Sequence, residues 1–412
     1  MRIESLSRSE ESGRPRISAR IVWEHARREP ALLWLETEQA FAEALSPSPD
    51  AFLLATFPLA VLARERRITV EGPVCSTLRD GLETVMRNYH RWNRRWRPVP
   101  IEPSDGFRDA DAPRDRNVAC LMSGGVDALA MLRENRLHHD IDEPESIRDG
   151  LVIFGLNTHD FCADGRPDPE RVLTFERHVR RLERFAERVS ITMIPLRTNL
   201  RTMYADFSTW GHGSTAGTVW VGLAMESRIR QLWFASDGRE GSVSNVRGLQ
   251  IPLSPFFSTG RLRVHLGQPD ATRLDKVRML ADWPPALDVV RSCTLNRIPQ
   301  DESINCGHCE KCVRTMLELL AAGALHRSKA FPYDALTPSM LSVLRNPNPF
   351  LAPALIPMYE NLIEPLREAG HHELLPPLEA ALADCRLAVQ RGGRGWIGAL
   401  SRRLRAWSGS SG

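Results

Sequence analysis

The chain has almost no lysine: Lys276, Lys311 and Lys329 are the only three among 54 basic residues, so nearly all of its positive charge is arginine. That bias reads as genomic, since arginine is richly encoded in GC-rich DNA, and it makes each lysine worth inspection. Net charge is lacking too. The 54 basic and 51 acidic groups leave +3, too little for a global field that would recommend a nucleic-acid or membrane partner. No run of some 18 apolar residues occurs, which excludes a membrane span, and MRIESLSRSEESGRPRISAR at the N-terminus has no apolar h-region. The even cysteine spacing of a small disulfide scaffold is absent as well. Cys75, Cys120, Cys162 and Cys385 are scattered, while the other four crowd between positions 293 and 312. A reducing, cytoplasmic setting is the expectation.

What is present is a globular composition, 42% hydrophobic and 25% charged over 412 residues, sufficient to bury a large core in two or three domains at about 150 residues each. Residues 1–115 hold mixed segments: an apolar stretch over 50–61, a short strand over 67–72, and a helix over 76–89 with Leu78, Leu82 and Met86 on one face. The prolines at 98, 100 and 103 and the charged run 105–116 read as a linker, giving an N-terminal α+β domain ending near 115. Beyond it the texture changes to strand-then-helix alternation, the mark of a doubly wound parallel α/β sheet. Strands are expected at 118–122, 151–156, 191–196 and 231–236, with helices at 126–136, 170–188 and 214–230. This domain is taken as 116–325, and 326–412 as a helical C-terminal region. Its tail, RGGRGWIGALSRRLRAW, sets arginines around an apolar stripe, the pattern of a terminal helix packed on its own protein or of a surface for a membrane or partner.

Two motifs carry chemistry. Ser123-Gly124-Gly125-Val126-Asp127 follows a buried strand and opens a helix. Glycines there let the backbone approach a phosphate, the helix N-terminus attracts the anion, and the Asp can serve a metal ion. The bland alternative is a tight turn. Cys293, Cys306, Cys309 and Cys312 form C-x12-C-x2-C-x2-C, four soft thiolates suited to a closed, structural Zn2+ site, with an iron–sulfur cluster as the minority reading. His308, inside this knuckle, has no required role.

VACLMSGGVDALAML resembles the SGGxDS loop of the PP-loop ATP pyrophosphatases, the adenine-nucleotide α-hydrolase-like superfamily, with Ala128 standing where the pattern has Ser. Taken with SC…NCGHCEKCVRT downstream, the chain resembles the 7-cyano-7-deazaguanine synthases over about residues 117–320, under half its length, with extra regions at both ends. The resemblance implies an ATP-binding HUP-like sheet, with phosphates over Ser123, Gly124, Gly125, Val126 and Asp127, Mg2+ on the phosphate oxygens, and catalytic roles for Asp127, Lys276 and Arg314. The implied reaction is adenylation of a small-molecule carboxylate, such as a 7-deazaguanine acid, followed by attack of ammonia or an amine.

Residues at the carboxyl ends of the parallel strands are the candidates for the substrate: Asn199, Arg201, His212 and Ser214, with Thr215. Ser214 or Thr215 can equally cap a helix, and His212 can equally be structural. The Ser236-Asp237-Gly238 turn, Asp160 and Cys162 are weaker candidates. Arg87–Arg97 (RNYHRWNRRWR) interleaves five arginines with aromatics, either a phosphate-tracking, base-stacking surface or a helix with its aromatics folded inward. Alternative functions are therefore a tRNA-modifying PP-loop ATPase using that patch, a ligase joining its acid to a peptide or sugar amine, and a nucleotide-binding protein without turnover. Nucleic acid is disfavoured, and dimerisation is open.

Overall fold

A short apolar run before the Ser123 loop does become a central strand. In the computed structural model of the chain, residues 1–109, 116–204, 207–238, 251–293, 304–349 and 351–408 are described, with side chains of the last helix through residue 391. The strands are β1 (Arg2–Glu11), β2 (Arg14–Val22), β3 (Ala31–Thr37), β4 (Ile68–Val70), β5 (Val74–Cys75), β6 (Ile101–Pro103), β7 (Phe107–Arg108), β8 (Asn117–Leu121), β9 (Ile147–Phe154), β10 (Thr192–Thr198), β11 (Ile229–Ala235) and β12 (Arg263–Gly267). Ten of them form one sheet in the order β12-β11-β8-β9-β10-β3-β2-β1-β4-β6, and β5 pairs with β7 separately.

The part from β12 to β10 is wholly parallel. Its chain order runs outward from β8 in both directions, through β9 and β10 on one side and β11 and β12 on the other. Parallel connections are right-handed, so the two branches place their helices on opposite faces. Side chains in β8 reflect this: Ala119 and Leu121 join the large core cluster with the 216–224 helix, while Cys120, pointing the other way, feels the charge of Arg136 on the helix Val126–His138. On that second face also lies the long amphipathic helix Pro169–Val189, which buries Phe175, Val179, Leu182 and Phe185. Asp168 caps it, accepting from the Glu170 and Arg171 amides.

The strands on either side of residue 115 belong to the same sheet, because β3 pairs antiparallel with β10. Thr37 Oγ1 reinforces the join by donating to the Pro195 carbonyl at 2.9 Å. The apolar stretch at 50–61 is a helix, Pro49–Ala63, buried along nearly its whole length, and the 76–89 pattern is the helix Ser76–Trp92. The expected 214–230 helix is shorter, Ala216–Ala224, since β11 already begins at Ile229. The chain divides into two compact units, Met1–Ser236 with Val246–Pro269, and Asp237–Asn245 with Asp270–Gly412. The second unit contains the helices Arg273–Ala281, Glu310–Ala321, Ala352–Glu368 and Leu375–Ser408. The apolar stripe expected after residue 391 lies outside the described side chains. No helix among the described residues is long and apolar enough to cross a membrane.

Candidate functional site

Ser123-Gly124-Gly125 leaves the carboxyl end of β8, the strand from which the two parallel branches diverge. Crevices at such switch points are where open parallel sheets bind ligands. Gly124 has φ +71°, and a Cβ there would sit 3.1 Å from the His178 ring and 3.2 Å from Leu182. Both facts favour glycine. His178 Nε2 lies 2.9 Å from the Ser123 carbonyl oxygen, so the Pro169–Val189 helix holds the turn from behind. The Gly125 amide donates to the exposed Ser123 Oγ at 3.2 Å. Gly125 is the N-cap of Val126–His138 and offers no capping side chain, and half-buried Asp127 occupies the first turn. Such a helix start presents amide donors and the positive end of the helix dipole to an anion. Ala128 is buried in this helix. Sequence reading missed His178, a lone histidine on an arginine-rich helix with no local signal of its role.

The residues after β9 and β10 divide sharply in what they do. Asp160 is a turn residue: one carboxylate oxygen accepts the Gly155 and Asn157 amides, both at 3.0 Å. Burial raises its pKa, against the lowering by those donors. Cys162 is exposed. Asn199, expected at the substrate, instead extends the β3–β10 pairing: its Oδ1 accepts from the Trp34 amide at 3.0 Å and its Nδ2 donates to the Leu32 carbonyl at 2.7 Å.

Arg201, His212 and Ser214 do come together in one buried group. Arg201 donates to the Tyr204 carbonyl at 3.0 Å and lies over the Trp210 ring. The His212 ring meets Trp96 edge-on at 4.3 Å, and its carbonyl accepts the Tyr89 hydroxyl at 2.5 Å. Tyr204 OH is packed against Gly213, 2.0 Å from where a Cβ would stand. Among the described residues the buried hydroxyls of Tyr204, Ser214 and Thr215 make no hydrogen bond, although an unmade buried bond costs about 1–3 kcal/mol. Burial drives the Tyr204 phenol far up its scale, and the Arg201 charge opposes that. Tyr204 escaped the sequence reading because nothing local distinguishes it.

Comparison with protein-family models, with curated proteins and with solved structures finds no match to this chain. Its sites therefore rest on their own geometry.

In the second unit the four expected thiols converge. The Sγ atoms of Cys293, Cys306, Cys309 and Cys312 all lie within 4.8 Å of one another, a group that can hold a metal ion such as zinc. Cys306 and Cys312 Sγ are 3.8 Å apart, which matches the edge of a tetrahedron with Zn–S bonds of about 2.3 Å. Gly307, at φ +75°, makes the tight turn between Cys306 and Cys309, and Cys309 is the N-cap of Glu310–Ala321, which delivers Cys312 one turn later. His308 is exposed, its Nδ1 2.7 Å from the Cys306 carbonyl oxygen. Mutual crowding with the neighbouring thiols and burial push the Cys312 thiol far up, so metal loading has to displace protons.

Asn305 is the residue the sequence reading overlooked here. It is fully buried, its Oδ1 accepts from the amides of Ser292 (2.7 Å) and Cys293 (3.0 Å), and its Nδ2 donates to the carbonyls of Val290 (2.8 Å) and Ala330 (2.9 Å). This one side chain clasps the Cys293 segment to the knuckle. Its place beside Cys306 was the available signal.

Lys276, on the helix Arg273–Ala281, is fully buried. Arg314 is buried between Glu310 (2.8 Å) and Glu318 (3.3 Å), and Arg273 reaches Glu318 at 3.2 Å. Its guanidinium thus serves the second unit's own ion-pair network. In the Arg87–Arg97 segment Tyr89 is buried and stacks on Trp92 at 5.4 Å, and Trp92 and Trp96 pack on the core. The arginines stay exposed. Tyr89 is interior, and Trp92 and Trp96 are half-buried against the core, the arrangement of a helix with its aromatics folded inward.

Proposed function

We propose that the chain is an ATP-dependent adenylating ligase or synthase of the PP-loop type, on a HUP-like sheet, converting ATP to AMP and pyrophosphate. The observation that carries this reading is the placement of Ser123-Gly124-Gly125 at the end of β8, opening a helix where the parallel sheet diverges. ATP lays its phosphates on the backbone amides of Ser123–Asp127, which need no side-chain hydroxyl at position 128. Asp127, in the first turn of that helix, would hold Mg2+, which would supply charge neutralisation at the phosphate oxygens.

A substrate carboxylate oxygen attacks the α-phosphorus, the bond from that phosphorus to the α–β bridging oxygen breaks, and pyrophosphate leaves. Ammonia or an amine then adds to the acyl carbon and expels AMP. Such chemistry needs positioning and charge neutralisation rather than a protein nucleophile. The Arg201 guanidinium supplies a positive charge, and the buried hydroxyls of Tyr204, Ser214 and Thr215 hydrogen bonds, for the substrate acid. A 7-deazaguanine acid is the substrate suggested by the resemblance to the 7-cyano-7-deazaguanine synthases, and Zn2+ in the four-cysteine site is structural.

The test is pyrophosphate release from ATP and Mg2+ with 7-carboxy-7-deazaguanine and a panel of other carboxylates and amines. Release with one acid, abolished in Gly124→Val, supports the reading. ATP binding without pyrophosphate release across the panel marks a nucleotide-binding protein without turnover. Absence of ATP binding overturns the reading altogether.

A further inference from the structure

At the amino ends of the parallel strands, away from the Ser123 loop, lies a cavity of about 530 Å³. That volume suits a small ligand. Its lining brings together Arg116, Arg148 and Arg230, with Ser190 and Thr192 offering hydroxyls. Asp142 and Glu143 complete the rim. The five residues of β8 span about 17 Å, so this cavity and the Ser123 loop are separated by the length of the sheet.

Three features make the cavity electropositive. Arg116 donates to backbone carbonyls, those of Glu226, Ile229 (3.1 Å) and Arg261 (2.7 Å). Arg230 likewise donates to the carbonyls of Arg116 (3.1 Å) and Pro144 (2.7 Å), with the Glu145 carboxylate 3.5 Å away. Carbonyl oxygens orient a guanidinium without cancelling its charge. Arg148 is half-buried and makes no hydrogen bond or ion pair among the described residues.

Of the nearby acids Asp142 is an exposed rim residue, and two others are committed elsewhere. Asp149 is held at both oxygens by Arg228, at 2.8 and 2.9 Å, and Glu143 pairs with His139 at 3.1 Å. Burial and repulsion from the Arg261 and Arg230 guanidiniums lower the pKa of Arg116, only partly offset by Glu226. Positive charges crowded this way are stabilised by an anion placed among them.

We infer that this cavity is a second anion site, for a phosphoryl group of pyrophosphate size, whether free or carried on a nucleotide. Guanidinium forks and hydroxyls match phosphate oxygens in number and geometry. The site is independent of the proposed reaction at the Ser123 loop.

Isothermal titration without metal, using inorganic phosphate, pyrophosphate, AMP and ATP, tests it on the full chain in wild type, Gly124→Val and Arg148→Glu. Arg148 makes no bond among the described residues, so reversing its charge is expected to spare the fold, and a matching melting temperature checks that. Pyrophosphate binding that persists in Gly124→Val, weakens with salt and falls tenfold or more in Arg148→Glu is the expected result. Tighter binding of ATP than of pyrophosphate in Gly124→Val would identify a nucleotide as the carrier, and equal binding the free anion. Binding unchanged in Arg148→Glu, or absent from Gly124→Val, overturns the inference.

Discussion

Replacing Asn305 with leucine keeps the side-chain volume roughly constant and deletes four hydrogen bonds at once. The amides of Ser292 and Cys293 and the carbonyls of Val290 and Ala330 lose their partner in a fully buried position. At about 1 kcal/mol for each stranded group, the low end of the range, the loss is near 4 kcal/mol, and local relaxation with water entry leaves about 3 kcal/mol. Where that loss appears depends on when the clasp forms. If it is already closed without metal, the metal-free protein loses stability; if it closes on metal binding, zinc affinity falls by about 100-fold, since 1.4 kcal/mol is tenfold. The two losses together should total about 3 kcal/mol. Urea unfolding of the chelator-treated protein measures the first, and competition for Zn2+ against a chromophoric chelator measures the second. A leucine variant that matches wild type in both would refute the claim that Asn305 organises the metal centre.

Gly124→Ala should weaken ATP binding at least tenfold by titration calorimetry, because it adds about 1 kcal/mol of left-handed backbone strain and a Cβ 3.1 Å from His178; wild-type affinity would refute the close-approach role of that glycine. Arg314→Met should cost about 3–5 kcal/mol in chemical unfolding, since it leaves Glu310 and Glu318 uncompensated; lost pyrophosphate release at unchanged stability would instead place Arg314 in the chemistry. Asp50 and Glu226 are carboxyls whose pKa burial raises, Glu226 additionally through the Asp50 charge. The folded state therefore holds their protons to higher pH than the unfolded chain does. Stability should fall as pH rises from about 4, the ordinary carboxyl value, through the raised folded values. Asp50→Asn with Glu226→Gln should flatten that slope in urea unfolding between pH 4 and 8, and an unchanged slope would contradict it.

The parallel strands and the four cysteines were legible because their signals are local: VACLM is a continuous apolar run before a glycine turn, and thiols at x2 spacing lie on one short wrap of chain. The N-terminal strands were not. β1 reads RIESLSRSEE and exposes most of its residues, so no apolar alternation marks it. Its sheet is shared with strands more than a hundred residues away, and no window of sequence contains that pairing. β12, RVHLG, alternates but has only two apolar side chains in five residues, too short a signal to mark a strand. At the candidate sites the residue types were visible but their duties were not. Asn199 and Arg314 were reasonable polar candidates, and the backbone of β3 and the carboxylates of Glu310 and Glu318 engage them. Tyr204 and Asn305 mattered through burial, which is a property of the fold.

The join between β3 and β10 also sets a schedule. Thr37 and the Pro195 carbonyl it bonds are 158 residues apart in the chain. At about 5–20 residues per second of synthesis, β3 waits roughly 10–30 s for its partner. During that interval Leu33 and Leu35, fully buried in the finished sheet, lie on an unpaired edge, the kind that recruits other strands. Ribosome-bound chains ending before residue 192 should aggregate on release more than those extended beyond β10, and the latter should improve again once β11 covers β8. The helices between these strands are thus translated while the sheet still has an open margin at β3, which β10 closes, leaving the β8 margin to β11.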